Sequence, residues 1–103
     1  MNWEQKFAAI LAISYSASLR MRQPGNWYVS VPGCEIGGGA TLRSVGSTGA
    51  DPSKAIECTW EEITKLPPDK HLVIDAMRDT RRHVRWNGYM WEDLPIEGRG
   101  KPQ

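Results

Sequence analysis

Trp3, Trp27, Trp60, Trp86 and Trp91 give a chain of 103 residues five indoles to place. Each such ring covers roughly 150–250 Å² when buried, so their placement constrains the fold more than any other feature. A chain of this length builds one core and hence one domain. Apolar residues at 40% and charged residues at 24% are ordinary for a soluble globular protein. Thirteen Lys and Arg against twelve Asp and Glu leave a net charge of +1, so no whole-molecule field selects nucleic acid or a membrane surface.

Hydrophobic periodicity assigns the rings to elements. Trp3, Phe7, Leu11, Tyr15 and Leu19 recur every four residues, with Ile10 widening the stripe, and predict an amphipathic helix over 2–21. Asn2 is its expected N-cap and Gln23-Pro24-Gly25-Asn26 its stop. Trp27, Val29 and Val31 then alternate with Tyr28 and Ser30, the period of a strand, closed by Pro32-Gly33. A second strand is expected from Glu35-Ile36 and Ala40–Val45 around Gly37-Gly38-Gly39. That glycine run reads as a hairpin loop, because no helix N-terminus or Lys with Ser or Thr follows to cradle a phosphate. Residues 46–51 read as a polar loop. Asp51 caps the next helix, Pro52 opens it, Ala55, Ile56, Trp60 and Ile63 share its face, and Pro67-Pro68 ends it.

The last third reads as an antiparallel meander. His71–Met77 is a strand, Arg78-Asp79-Thr80-Arg81 a turn, and His83–Trp86 meets Tyr89–Trp91 across Asn87-Gly88. A two-residue type I′ loop there pairs Trp86 with Tyr89 and Val84 with Trp91. The predicted order is α-β-β-α-β-β-β. It makes an α+β two-layer sandwich over residues 1–94, with an antiparallel sheet and both helices on one face. Phe7, Leu11, Ile56, Trp60 and Ile63 are the expected helix contribution to the core, and 95–103 is expected to be a flexible tail.

Lys6 followed by Phe7–Ile13 and Ser16-Ala17-Ser18 imitates a secretion signal, but Glu4 occupies the would-be basic region and Ser14 and Ser16 interrupt the apolar run. The expected location is the cytoplasm, with Cys34 and Cys58 as free thiols. No run reaches the ~18 apolar residues of a membrane span. The order Cys34, Cys58, His71, His83 lacks the short paired spacings of a zinc site, so neither metal nor cofactor is expected. Cys58 reads as an inert thiol beside the apolar stripe of its helix, and the histidines as surface imidazoles, although a Cys–His pair formed in space stays open. Glu61-Glu62 and Glu92-Asp93 point in diverging directions and read as solvated carboxylates rather than acid–base dyads. No catalytic residue is assigned.

One local concentration of charge remains. Arg78, Arg81, Arg82 and Arg85 surround His83, and Trp86, Tyr89 and Trp91 follow. Arginine with aromatic rings is the vocabulary of single-strand binding and of protein hot spots alike. A third reading turns Trp86, Tyr89 and Trp91 into the helix layer and leaves solvated arginines. The expected binding surface is Arg78, Arg81, Arg82 and Arg85 with exposed aromatics near Trp91.

Two resemblances add to this. Trp27–Cys34, followed by Gly49-Ala50-Asp51-Pro52-Ser53-Lys54-Ala55-Ile56, resembles HicB-like antitoxin domains, in which a strand ending Pro-Gly-Cys precedes a Gly and a capped helix. The interval is longer here and Lys54 stands where that family has an acid. The resemblance implies a strand-strand-helix core and is not extended to toxin neutralisation. From Met1 to Leu94, and especially over Arg85–Asp93, the chain also looks like small accessory proteins of tailed phages and prophages. That likeness implies a non-enzymatic phage protein that binds and inhibits a host protein, such as a defence complex of protein and nucleic acid. The alternative is a module binding nucleic acid or a nucleotide, antitoxin-like or sponge-like.

Overall fold

The computed structural model describes residues 1–37, 43–75 and 81–95. In chain order the elements are α1 (Trp3–Ile13), β1 (Ser18–Gln23), β2 (Asn26–Gly37), β3 (Arg43–Gly49), α2 (Pro52–Thr64), β4 (His71–Ile74), β5 (Arg82–Trp86) and β6 (Trp91–Asp93). The fold is α+β, with two helices over a six-stranded antiparallel sheet. The order is therefore α-β-β-β-α-β-β-β, one strand more than the sequence pattern predicts.

The additional strand comes from the second half of the predicted 2–21 helix. Asn2 does cap α1: its side chain accepts from the Gln5 amide while Gln5 returns a bond to the Asn2 amide. The helix stops at Ile13. Ser14 turns extended, with φ −149°, and its hydroxyl donates to the Pro32 carbonyl. The face of α1 turned inward is Trp3, Phe7, Ile10 and Ile13, while Leu11 and Tyr15 of the four-residue stripe are exposed. Leu11 is thus not a core residue. Leu19 belongs to β1, where it pairs with Val29, and Pro24-Gly25 joins two strands instead of ending a helix. Gly25 takes φ +77°, the conformation that a Pro-Gly turn asks of its glycine.

β2 is the central strand. It runs straight through Pro32-Gly33, which was expected to end it. The ladder to β3 steps from Ser30↔Gly46 to Glu35↔Ser44, so Val31–Cys34 bulge opposite Val45, with Gly33 at φ +75°. One edge of β2 carries β3. The other carries β1 along its first half and β4 along Cys34–Gly37. Gly46–Gly49, expected as loop, completes β3. Gly49 lies so close to α2 that a Cβ there would stand 2.5 Å from the Ala55 amide nitrogen, which lets the helix start directly against the strand. Asp51 caps α2 as expected, accepting from the Lys54 amide.

Both helices lie on one face. A single buried cluster joins Ile10, Ala55, Ile56, Trp60 and Ile63 to Val29, Val31, Ile36, Leu72, Ile74 and Val84 of the sheet. Lys6 of α1 bridges to Glu57 of α2 beside it. Burying such side chains contributes ~1.5–3 kcal/mol each.

Candidate functional site

The predicted arginine surface is dispersed by strand geometry. On β5, successive side chains point to opposite faces, so Arg82 and Arg85 part company. Arg82 forms an ion pair with Asp93 at 3.0 Å, which supplies the acidic partner that the sequence did not pair with it. Arg85 is half-buried and donates to the backbone carbonyls of Pro68 and Lys70, tying the end of the α2–β4 connection to β5. Arg81 is exposed just ahead of β5. Arg78 lies outside the described residues, as do most of the predicted 78–81 turn and all but the first residue of the predicted 95–103 tail.

Trp91 faces the helices. Trp60, Trp86 and Trp91 pack edge to face, with centroids 4.9, 5.1 and 5.8 Å apart, and the Trp91 indole N–H donates to the Ala9 carbonyl at 2.9 Å. This packing sets the hairpin register. Trp86 pairs with Trp91 and Val84 with Asp93, across a four-residue loop instead of the expected two. The reason lies in Asn87. Its Oδ1 accepts from the amides of Tyr89 and Met90, and its own amide donates to the Met90 carbonyl, while Gly88 takes φ +107°. Tyr89, expected to pair with Trp86, lies in the loop instead and is 90% exposed, with Met90 beside it 60% exposed.

The thiols are free and differ in environment. Cys34 is buried in the sheet, and burial, with Glu35 and Glu62 adding to it, pushes its pKa up to about 12. Cys58 was expected in the shelter of the α2 stripe but is exposed, since Ala55, Ile56, Thr59, Trp60 and Ile63 define a buried face that excludes it. His71 and His83, expected as separate surface imidazoles, are half-buried neighbours with Nε2 and Nδ1 2.8 Å apart. The β4–β5 register brings them together, and nothing in either local sequence indicates that pairing. Among the described residues, no three His, Cys, Asp or Glu side chains converge as a metal site would require, and no helix is long and apolar enough to cross a membrane.

A second basic and aromatic group lies where sequence reading placed a helix. On β1, Leu19 turns to the core while Arg20 takes the open face of the sheet, directly across from Tyr28 of β2. Arg22 is the extra residue of a bulge between Met21 and Gln23, and its guanidinium carbon sits 4.9 Å from the centre of the Tyr28 ring. Gly46 of β3 faces Ser30, and a Cβ there would stand 2.9 Å from the Val29 carbonyl oxygen and in ordinary contact with the Tyr28 ring. Ser18 and Ser30 complete a shallow hollow of about 450 Å³ over these strands. Leu19-Arg20-Met21-Arg22 before Pro-Gly carries the alternation that signals this strand, but the four-residue stripe overrode it.

The chain matches no family model, no curated protein and no solved structure.

Proposed function

We propose that the chain is a non-enzymatic accessory protein of the phage type that binds and inhibits a host protein, using the Tyr89–Met90 loop as its anchor. The observation that carries this reading is the construction of that loop. Tyr89 and Met90 are exposed on a loop whose backbone is held by three hydrogen bonds with Asn87, two accepted by its Oδ1 and one donated by its backbone amide, on a hairpin whose base is locked to α1 and α2 by Trp91 and Trp60. A loop whose backbone is held before binding loses little backbone entropy when a partner covers its side chains, which favours it as a hot-spot anchor. Cys34, Trp91 and Arg85 have structural occupations, and the resemblance to small phage proteins supplies the host-directed context.

The experiment is retention on the immobilised chain. From a bacterial lysate, the wild-type chain should retain a host protein whose activity falls when purified chain is added. The Tyr89→Ala, Met90→Ala double variant, melting with the parent, should retain at least tenfold less of it. Equal retention by the variant overturns the reading, as does catalytic turnover by the chain itself.

A further inference from the structure

We infer that the open face of the β1–β2 hairpin is a binding site for single-stranded nucleic acid, with Arg20 and Arg22 taking consecutive phosphates. This site lies at the opposite end of the strand order from β6 and does not depend on the Tyr89–Met90 reading.

Three observations converge on it. First, among the described residues neither arginine has an ion-pair partner, in contrast to Arg82 with its Asp93. Both arginines are exposed and line the same hollow, so the local field is positive although the chain is near neutral. Secondly, their spacing is set. Arg20 pairs with Tyr28 across the ladder, and the bulge brings the Arg22 guanidinium carbon to 4.9 Å from the centre of the same ring, so both charges flank one side chain. Thirdly, the hollow is shaped for more than a point charge. The Arg22 guanidinium lies over the Tyr28 ring, so cation and ring together offer a base a surface to stack upon, and Ser18 and Ser30 border the hollow with hydroxyls that can donate to phosphate or sugar.

Orientation follows from the neighbouring charge. Glu35 occupies the same face of β2 beyond the Pro32-Gly33 bulge and lines the adjoining hollow with Tyr28, Ser30 and Ser44. A polyanion is repelled from that end and held over β1. A duplex presents its bases already stacked and cannot use the Arg22 plane, so the site favours single strands.

The test is fluorescence anisotropy with labelled dodecathymidylate on the full chain. Binding in the range ~10⁻⁴ to 10⁻⁶ M is expected, with log affinity falling against log salt at a slope near −1.4 for two phosphates. Arg20→Ala with Arg22→Ala should lower the affinity at least tenfold and flatten that slope, with an unchanged melting temperature. Tyr28→Leu should lower affinity and leave the slope in place. A slope or affinity unchanged in the double arginine variant overturns the assignment, as does duplex DNA binding as tightly as the single strand. Tighter binding of an oligoglutamate peptide than of the oligonucleotide overturns it in favour of an acidic protein patch.

Discussion

The two terminal hairpins are made of the same ingredients and put them to opposite uses. Each has a glycine-containing turn, aromatic residues and arginines. In β5–β6 the tryptophans face the helices and the arginines of β5 are engaged, Arg82 by Asp93 and Arg85 by backbone carbonyls. In β1–β2 the arginines stand on the open face, and the tyrosine beside them holds a guanidinium and leaves the core to Leu19 and Val29. The difference is one of spacing. Arg20 and Arg22 line one hollow around Tyr28 on the open face, whereas Arg82 and Arg85, three apart on a regular strand, point to opposite faces. Charge density along a sequence becomes charge density on a surface only when it matches the period of the element that carries it.

The largest effect expected from this contrast is at the tryptophan cluster. Trp60→Ala removes the ring against which both Trp86 and Trp91 pack and should cost ~3–5 kcal/mol, a large part of the stability of a domain this size. Chemical denaturation measures it. A parental midpoint would mean that the β5–β6 hairpin stands without the helices, and the contrast between the hairpins would fail.

A smaller effect is expected at the turn. Gly88 has open space around it but φ +107°, so Gly88→Val strains the backbone alone and should cost about 1–3 kcal/mol. The same variant should reduce partner retention by the Tyr89–Met90 loop and leave oligonucleotide binding at the β1–β2 face unchanged. Calorimetry and anisotropy on one preparation separate the two.

What the sequence made legible follows from which forces are local. Both helix N-caps, the α2 face and the α+β class were readable because capping and periodicity act within a few residues. The end of α1 was not, because Ser14 ends it through a hydroxyl bond to Pro32, eighteen residues away. β1 was hidden for the same reason: its alternation competes with a helical stripe, and only pairing with β2 decides between them. Asn87-Gly88 marked a turn correctly but not its length, since the edge-to-face packing of Trp86, Trp91 and Trp60 selects the register. The pairing of Arg82 was hidden for the same reason, as Asp93 reaches it only in that register.

The thiols give the smallest effect, a labelling pattern. In the native chain near pH 8, iodoacetamide should modify Cys58 and spare Cys34, and both should react after unfolding. Because the folded state raises the Cys34 pKa from 9.0 to about 12, the associated stability is full below about pH 9 and is lost as pH rises toward 12. Rapid native labelling at Cys34 would show that the sheet around β2 opens.

The most direct measurement pairs two double variants, Arg20→Ala with Arg22→Ala and Arg82→Ala with Arg85→Ala, each assayed for melting temperature and for dodecathymidylate affinity. A crossed result is expected. The β1 variant melts with the parent and binds at least tenfold more weakly, while the β5 variant melts several degrees lower and, at temperatures where it is folded, binds as the parent does. A β5 variant that keeps its stability and loses binding would contradict the account and return the binding surface to the last hairpin.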